Sequence, residues 1–344
     1  MNPAIEGRLR KQARSCAALG SPLYAHLLDR AADDAANGGI VAEAMEPWAD
    51  APSGTAIGLK LMGSVHRLVL TGELPELAAF YPSAGGAQPV EGSELPFFAA
   101  LGDKAQEISQ LLHLPVQTNE VGRSAALLGG FLEVAHLPLR VLEVGSSAGL
   151  NLRWDHYRYE HDGIAWGPTD SPVTFAPYES APNLGLEAQV VARIGCDPAP
   201  IDASTDAGRL TLSSYVWADQ AKRWQLLQSA LEVATRVPAR IERVGAGDWL
   251  ERVLAEPAPG TSTVVFHSIV TQYMTPAERE RVVAVITEAG ELATPNAPLA
   301  WLRMEPPEER GDDLAHVHLT RWPGGETRLV ARAGYHGRPV IWLA

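Results

Sequence analysis

Hydrophobic residues recur at helical spacing through the first third of the chain. Residues 5–19 and 22–37 are rich in Ala and Leu, with charged residues between the apolar ones. This three-to-four-residue period predicts amphipathic helices. The same pattern predicts helices over residues 56–70, 94–113 and 119–136. We therefore expect residues 1–138 to form a helical cap region.

From residue 139 onwards, short apolar runs alternate with helical periods. Strands are predicted at 139–144, 189–194, 239–244, 262–267 and 299–304, and helices at 217–237, 249–254 and 276–290. Three last candidates, at 316–322, 327–333 and 339–343, surround a glycine turn and predict an antiparallel meander. Residues 139–344 should thus form an α/β domain, with a mostly parallel sheet and an antiparallel C-terminal edge.

Charge and cysteine content indicate which ligands the protein is expected to bind and where in the cell it is expected to lie. The 41 acidic residues outnumber the 28 basic ones, for a net charge of -13, which disfavours nucleic acid and suits a small or cationic ligand. Cys16 and Cys196 are too few for a zinc–thiolate site or a disulfide framework. The start of the sequence lacks an apolar signal core, and no apolar run is long enough to span a bilayer. We expect a cytoplasmic protein that does not bind membranes.

A glycine turn follows the first predicted strand. The sequence EVGSSAGLN at 143–151 places an acid, a Gly-x-x-x-Gly turn and the apparent start of a helix in succession. The dinucleotide fingerprint Gly-x-Gly-x-x-Gly and the Gly-Lys-Ser/Thr of a P-loop are both absent. The pattern Glu-x-Gly-x-x-x-Gly is similar to motif I of class I S-adenosylmethionine-dependent methyltransferases, although any tight strand-to-helix turn favours glycine. The resemblance implies cofactor-binding roles for Glu143, Gly145, Ser146, Ser147, Gly149 and Asn151.

Two acidic residues after the glycine turn occur in the same order as the cofactor-binding acids of those methyltransferases. Asp197 follows the second strand candidate, where methyltransferases place an acid whose two oxygens accept both ribose hydroxyls. Asp248 lies in a Gly-Asp pair after the third strand, the position beside the adenine amino group. Each acid alone also fits a solvated loop or a helix cap. A proline-rich insertion at 158–188 delays the second strand, which leaves the ribose-binding acid open.

The same loop also spells Gly-x-Ser-x-Gly, the nucleophile elbow of serine hydrolases, with Ser147 as the nucleophile. Asp248 and His336 would complete the order acid then histidine. An α/β-hydrolase, however, needs most of its sheet before the elbow, and residues 1–138 are predicted helical. No His-Gly-Gly-type oxyanion segment precedes the loop. The methyltransferase interpretation is therefore preferred.

The ends of other predicted elements supply further candidates. His267 ends the fourth strand at the carboxyl edge, where it fits a general base as well as a buried, hydrogen-bonded histidine. Candidate residues for lining the cofactor or substrate, which could equally cap helices or pack in the core, are Asn119, Glu120, Arg123, Asp219, Gln220, Ser268, Gln272 and Tyr273. Arg123 in particular could bind a carboxylate through its guanidinium fork.

No metal site is predicted. Asp155 and His156 are adjacent on an expected helix and therefore point in different directions. His316 and His318 share a strand face but are too few to hold a metal ion.

Seven segments, spread in order over nearly the whole chain, resemble a bacterial family named domain of unknown function 2332. They are HRLVL at 66–70, NEVGR at 119–123, EVGSSAGLNL at 143–152, RIGCD at 193–197, SYVWADQ at 214–220, HSIVTQY at 267–273 and WPGG at 322–325. The resemblance implies a Rossmann-like, class I methyltransferase fold. The function it favours is S-adenosylmethionine-dependent methyl transfer to an unknown small molecule. A cofactor-binding protein without catalysis remains a further alternative.

Overall fold

The computed structural model describes residues 3–176, 178–307 and 311–343. The helices are α1 (Pro3–Ala18), α2 (Pro22–Ala36), α3 (Ile40–Met45), α4 (Ile57–Leu70), α5 (Pro75–Ala78), α6 (Glu94–Asp103), α7 (Ala105–Leu112), α8 (Arg123–Glu133), α9 (Asp206–Ser214), α10 (Ala221–Arg236), α11 (Ala246–Val253) and α12 (Pro276–Glu291). The strands are β1 (Leu139–Val144), β2 (Arg158–His161), β3 (Ile164–Trp166), β4 (Thr174–Phe175), β5 (Val190–Asp197), β6 (Arg240–Arg243), β7 (Ser262–Ser268), β8 (Leu299–Glu305), β9 (Ala315–Trp322), β10 (Glu326–Ala333) and β11 (Val340–Trp342).

The chain forms two compact units that differ from the expected ranges in two places. The first unit comprises residues 1–118 and 205–225, and the second comprises residues 119–204 and 226–344. The boundary thus falls before α8 rather than after it, because α8 packs on β8 and β10. The later segment 205–225 also belongs to the helical unit, and no local sequence pattern predicts this.

The first unit is helical and has its own core. Apolar side chains of α1, α2 and α4, such as Leu9, Leu27 and Leu61, are fully buried there. Trp217 and Ala218 of the returning segment belong to the same cluster. This burial explains the helical periodicity of the first third, since each helix directs its apolar stripe inward.

The second unit is built on an eight-stranded sheet in the order β11-β10-β9-β8-β7-β1-β5-β6. Five neighbouring strands of the sheet, β8, β7, β1, β5 and β6, pair in parallel. The strands β9, β10 and β11 add an antiparallel edge. The predicted α/β class and mostly parallel sheet are confirmed. Counted along the chain, the five parallel strands lie in the order 3-2-1-4-5, so the order reverses between β1 and β7. Ligands of open α/β sheets bind at the carboxyl ends of the strands beside such a reversal.

Several elements differ from the sequence prediction. The predicted helix 94–113 breaks at Lys104 into α6 and α7. The residues after the glycine turn form only a short 3-10 helix, Asn151–His156, with Arg153 outside helical geometry. The insertion at 158–188 contains a small sheet in the order β3-β2-β4. The pattern missed α9, and α10 begins at Ala221 instead of 217.

Every helix in the described part of the chain is too short or too polar to cross a membrane.

Candidate functional site

The turn after β1 has a backbone that favours glycine. Gly145 and Gly149 have φ angles of +69° and +65°, in the left-handed region that side chains disfavour. A Cβ at position 145 would also overlap Cγ2 of Val270. Packing and conformation together therefore account for the glycine at 145, and the space above it is taken by Val270.

The backbone N–H groups of the turn donate within the protein. Those of Gly145 and Ser146 bond to the Cys196 carbonyl at 2.9 and 3.0 Å, and that of Gly149 bonds to Ser146. Those of residues 148 and 150 both donate to Oδ1 of Asn119, at 3.2 and 3.1 Å. Hence this turn differs from a phosphate-binding loop, whose N–H groups point at the ligand.

Asp197 ends β5 beside the turn. Its Oδ2 accepts the Ser147 N–H at 2.9 Å, and its Oδ1 accepts the Ala199 N–H at 2.8 Å. The residue is 7% exposed. A carboxylate offers about four acceptor positions, so Asp197 can hold the loop and still accept hydrogen bonds from a diol.

Glu143 is the most unusual ionisable group at this edge. It is 3% exposed, and its Oε2 has no hydrogen-bond partner among the described residues. Burial raises the pKa of its carboxyl well above the ordinary value; the positive charge of Arg153 opposes this, and Asp197 adds to it. A buried polar atom without a partner in the described part of the chain requires an explanation, and a functional role is one of the recognised ones.

His267 lies on the opposite face of the sheet from Glu143. Glu143 pairs in register with Phe266, so the next side chain along β7 points the other way. The His267 ring is 2% exposed, and its Nδ1 donates to Oε1 of Glu305 at 2.7 Å. This placement favours a buried, hydrogen-bonded histidine over the predicted general base.

Glu305 at the end of β8 organises that second face. Its Oε1 also accepts the Val270 N–H at 3.0 Å, and its Oε2 accepts the Thr271 hydroxyl at 2.8 Å. Burial acts to raise the Glu305 pKa, but the hydrogen bonds and the His267 partner hold the pKa below its ordinary value. Sequence reasoning missed Glu305, because its partners lie far away along the chain.

Strained backbone gathers around the same edge. Among the described residues, the non-glycine residues with positive φ include Asn119 (+32°), Ser147 (+52°) and Ile269 (+52°). Asn119 bonds to the turn, Ser147 belongs to it, and Ile269 directly follows β7. Such conformations cost about 1–3 kcal/mol each and concentrate at functional sites.

The other predicted residues around the turn mainly hold the backbone. Asn151 donates to the Glu120 carbonyl and accepts from Ser124. Arg123 donates to the carbonyls of Tyr335 and Ser268, at 3.1 and 3.0 Å. Ser146 is fully buried against Cys196, whereas Gln272 and Tyr273 are exposed in the 3-10 helix Thr271–Tyr273. Arg153, which the pattern missed, donates to the carbonyls of residues 148 and 149.

Three further predicted residues make other contacts. Asp219 accepts from Ser21 Oγ at 2.6 Å and from the Leu23 N–H at 2.9 Å, within the helical unit. Gln220 donates to the Leu19 carbonyl. The Asp248 side chain is 69% exposed and pairs with Arg281. No group of three or more His, Cys, Asp or Glu with a metal-binding arrangement occurs in the described ranges.

Comparison with known proteins identifies the family. A family model described as "Uncharacterized protein conserved in bacteria (DUF2332)" matches residues 6–342, so the chain belongs to this family. No curated protein and no solved structure matches the chain.

Proposed function

We propose that this member of the DUF2332 family binds S-adenosylmethionine at the carboxyl edge between β1 and β7, and transfers its methyl group to a small molecule. The observation that carries the proposal is the buried carboxyl of Glu143 beside a strained turn, with Oε2 unpartnered among the described residues. It lies where the strand order 3-2-1-4-5 reverses, the usual binding position in doubly wound sheets.

The hydrogen bonding of the turn favours a cationic cofactor over a phosphorylated one. ATP or NAD would need free N–H donors, but those of the turn already donate to Cys196, Asp197, Asn119 and Ser146. A phosphate would also meet the carboxyl groups of Glu143 and Asp197. S-adenosylmethionine carries no phosphate and has both a sulfonium and an ammonium group, which suit an acidic site.

In this proposal Asp197 accepts the ribose hydroxyls with its remaining acceptor positions, and Glu143 accepts a hydrogen bond or balances positive charge. The cofactor supplies a methyl group that is already activated, so alignment of the acceptor contributes most of the catalysis. No residue of the chain needs to act as a general base, and His267 is assigned none. The two cysteines, which form no disulfide, favour the cytoplasmic location that is part of the same proposal.

The structure has one feature expected of the hydrolase alternative, a strained backbone at Ser147, but the part of the chain it describes offers no base for that serine. Ser147 has the positive φ expected at a strained elbow. Its Oγ is buried, however, and has no hydrogen-bond partner among the described residues, so no base activates it. A serine hydroxyl without a base is a poor nucleophile.

The test is calorimetric titration of the full chain with S-adenosylhomocysteine, the product form of the cofactor, alongside ATP and NAD. We expect micromolar affinity for S-adenosylhomocysteine and no binding of the two phosphorylated ligands. Glu143→Gln should weaken binding by about tenfold or more, corresponding to the loss of one charge-assisted hydrogen bond.

Glu133→Gln serves as the matched control. Glu133 is a partly buried glutamate of the same unit that bonds to Arg328 in a neighbouring element, so its substitution should leave affinity unchanged. Absence of S-adenosylhomocysteine binding by a folded protein, or tighter binding of ATP or NAD, would refute the proposal.

A further inference from the structure

Two of the family-like segments meet inside the helical unit, at a histidine that the proposed function does not use. His66 belongs to HRLVL on α4, and Ser214 begins the segment SYVWADQ that rejoins this unit. His66 is fully buried. Its Nδ1 lies 3.1 Å from the Ser214 carbonyl oxygen, and its Nε2 lies 2.7 Å from Oγ of Ser83.

The Ser214 contact indicates the tautomer of the ring, and Oη of Tyr24 also lies near Nδ1, at 3.3 Å. A carbonyl oxygen only accepts, so Nδ1 must carry the proton that it donates to Ser214. In a neutral imidazole the other nitrogen, Nε2, is then an acceptor, and the Ser83 hydroxyl donates to it. The arrangement is that of a nucleophile, a base and a third group that orients the base.

The surroundings keep His66 neutral. Burial lowers the pKa of His66 to about 4, although its hydrogen bonds to backbone carbonyls act in the opposite direction. The rings of Tyr81 and Trp224 lie 5.5 and 6.3 Å from the imidazole centroid. At neutral pH the base is therefore in the form that accepts a proton.

Ser83 itself lies on a short turn at the surface of the unit. Pro82 begins the 3-10 helix Pro82–Ala84, and Gly85 ends it in the left-handed conformation. Pro82, Ala84 and Gly85 are exposed, and Ser83 is half-buried. Ser83 is thus partly accessible to solvent, whereas His66 is fully buried.

We propose that Ser83 is a nucleophilic serine, activated by His66, that reacts with activated acyl compounds such as esters or thioesters. Oγ of Ser83 bonds to the acyl carbon while its proton passes to Nε2 of His66. The leaving alcohol or thiol takes that proton as its bond to the acyl carbon breaks. Water then attacks the acyl-serine with the same proton path, which releases the acid and restores Ser83.

The turn that carries Ser83 lacks a feature that would speed hydrolysis. The N–H groups of Ala84, Gly85 and Gly86 donate to the carbonyls of residues 81 and 82, so they are not directed at a developing oxyanion. Oxyanion donors contribute roughly a hundredfold or more in serine hydrolases. We therefore expect slow turnover, with covalent labelling as the more sensitive readout.

The test is labelling of the full chain with a fluorophosphonate, with the site mapped by peptide mass spectrometry. One adduct is expected on Ser83, absent in Ser83→Ala and retained in both Ser147→Ala and Ser15→Ala. Ser15 is an exposed serine of the same unit and controls for non-specific reaction. His66→Gln should slow labelling by about a hundredfold or more.

A pH profile of the wild type keeps the inference testable if His66→Gln does not fold. With a base of pKa about 4, the labelling rate should stay flat between about pH 6 and 8. A rate that rises tenfold per pH unit, an adduct on Ser147 instead, or no adduct at all would overturn the inference. None of these outcomes depends on whether S-adenosylmethionine binds.

Discussion

At the carboxyl edge of the sheet, each face carries a glutamate, and the two glutamates differ in hydrogen bonding and in the direction of their pKa shift. On one face Glu305 accepts three hydrogen bonds, from the His267 ring, the Val270 N–H and the Thr271 hydroxyl, and its pKa is lowered. On the other face Glu143 is buried, one of its oxygens has no partner among the residues the structure describes, and its pKa is raised. Paired carboxyl groups with divergent environments often mark a division of roles. Here Glu305 is bonded within the fold, whereas Glu143 is, in our proposal, the residue that meets a group from outside the chain.

The comparison is tested most strongly by removing Glu305. Glu305→Ala should lower the free energy of unfolding by about 3 kcal/mol or more, because it leaves three donors without an acceptor. Chemical denaturation at pH 7 measures the change. Glu326→Ala is the control, since that exposed carboxylate makes a long ion pair with Arg321, at 3.8 Å. A loss at Glu305 no larger than at Glu326 would mean that the network contributes nothing to stability.

Glu143→Gln should have the opposite sign and a pH dependence. A carboxyl whose pKa is raised on folding stabilises the protein below its ordinary pKa of 4.5, and that contribution is lost as pH rises through the folded value. The variant should therefore be more stable than wild type by about 2 kcal/mol near pH 8, with the difference shrinking towards about pH 4. Denaturation curves across this range provide the measurement. Equal stabilities at every pH would show that Glu143 carries no burial cost.

Ser147→Gly tests the backbone strain on the Glu143 face, and its expected effect on the free energy of unfolding is smaller. Glycine accepts the +52° φ of this position without strain. We expect a gain of about 1 kcal/mol in unfolding free energy. Ser147→Ala, which keeps the strain, should not produce this gain. If alanine and glycine behave alike, the strain assigned to this residue is not a cost to the fold.

Local patterns predicted the strands of the sheet, but not the hydrogen bonds between distant segments. The apolar runs at 139–144 and 262–267 became β1 and β7, because a buried parallel strand needs a continuous hydrophobic stretch. Glu143 could be named because it adjoins the glycine turn. The role of Asp219 could not, because it holds Ser21 and Leu23, nearly two hundred residues earlier in the chain. Short-range spacing indicates where backbone bends, but a hydrogen bond between distant segments leaves no periodic trace.

The discontinuous helical unit has a consequence for synthesis. Its first 118 residues are made before β1, yet the segment 205–225, which carries Asp219, Trp217 and the carbonyl partner of His66, follows roughly 90 residues later. At ordinary translation speeds that interval lasts on the order of ten seconds. During it the amino end of α2 lacks the side chain that holds it, and the core around Tyr24 is incomplete. The nascent chain therefore presents apolar helices to the cell before their last partner leaves the ribosome.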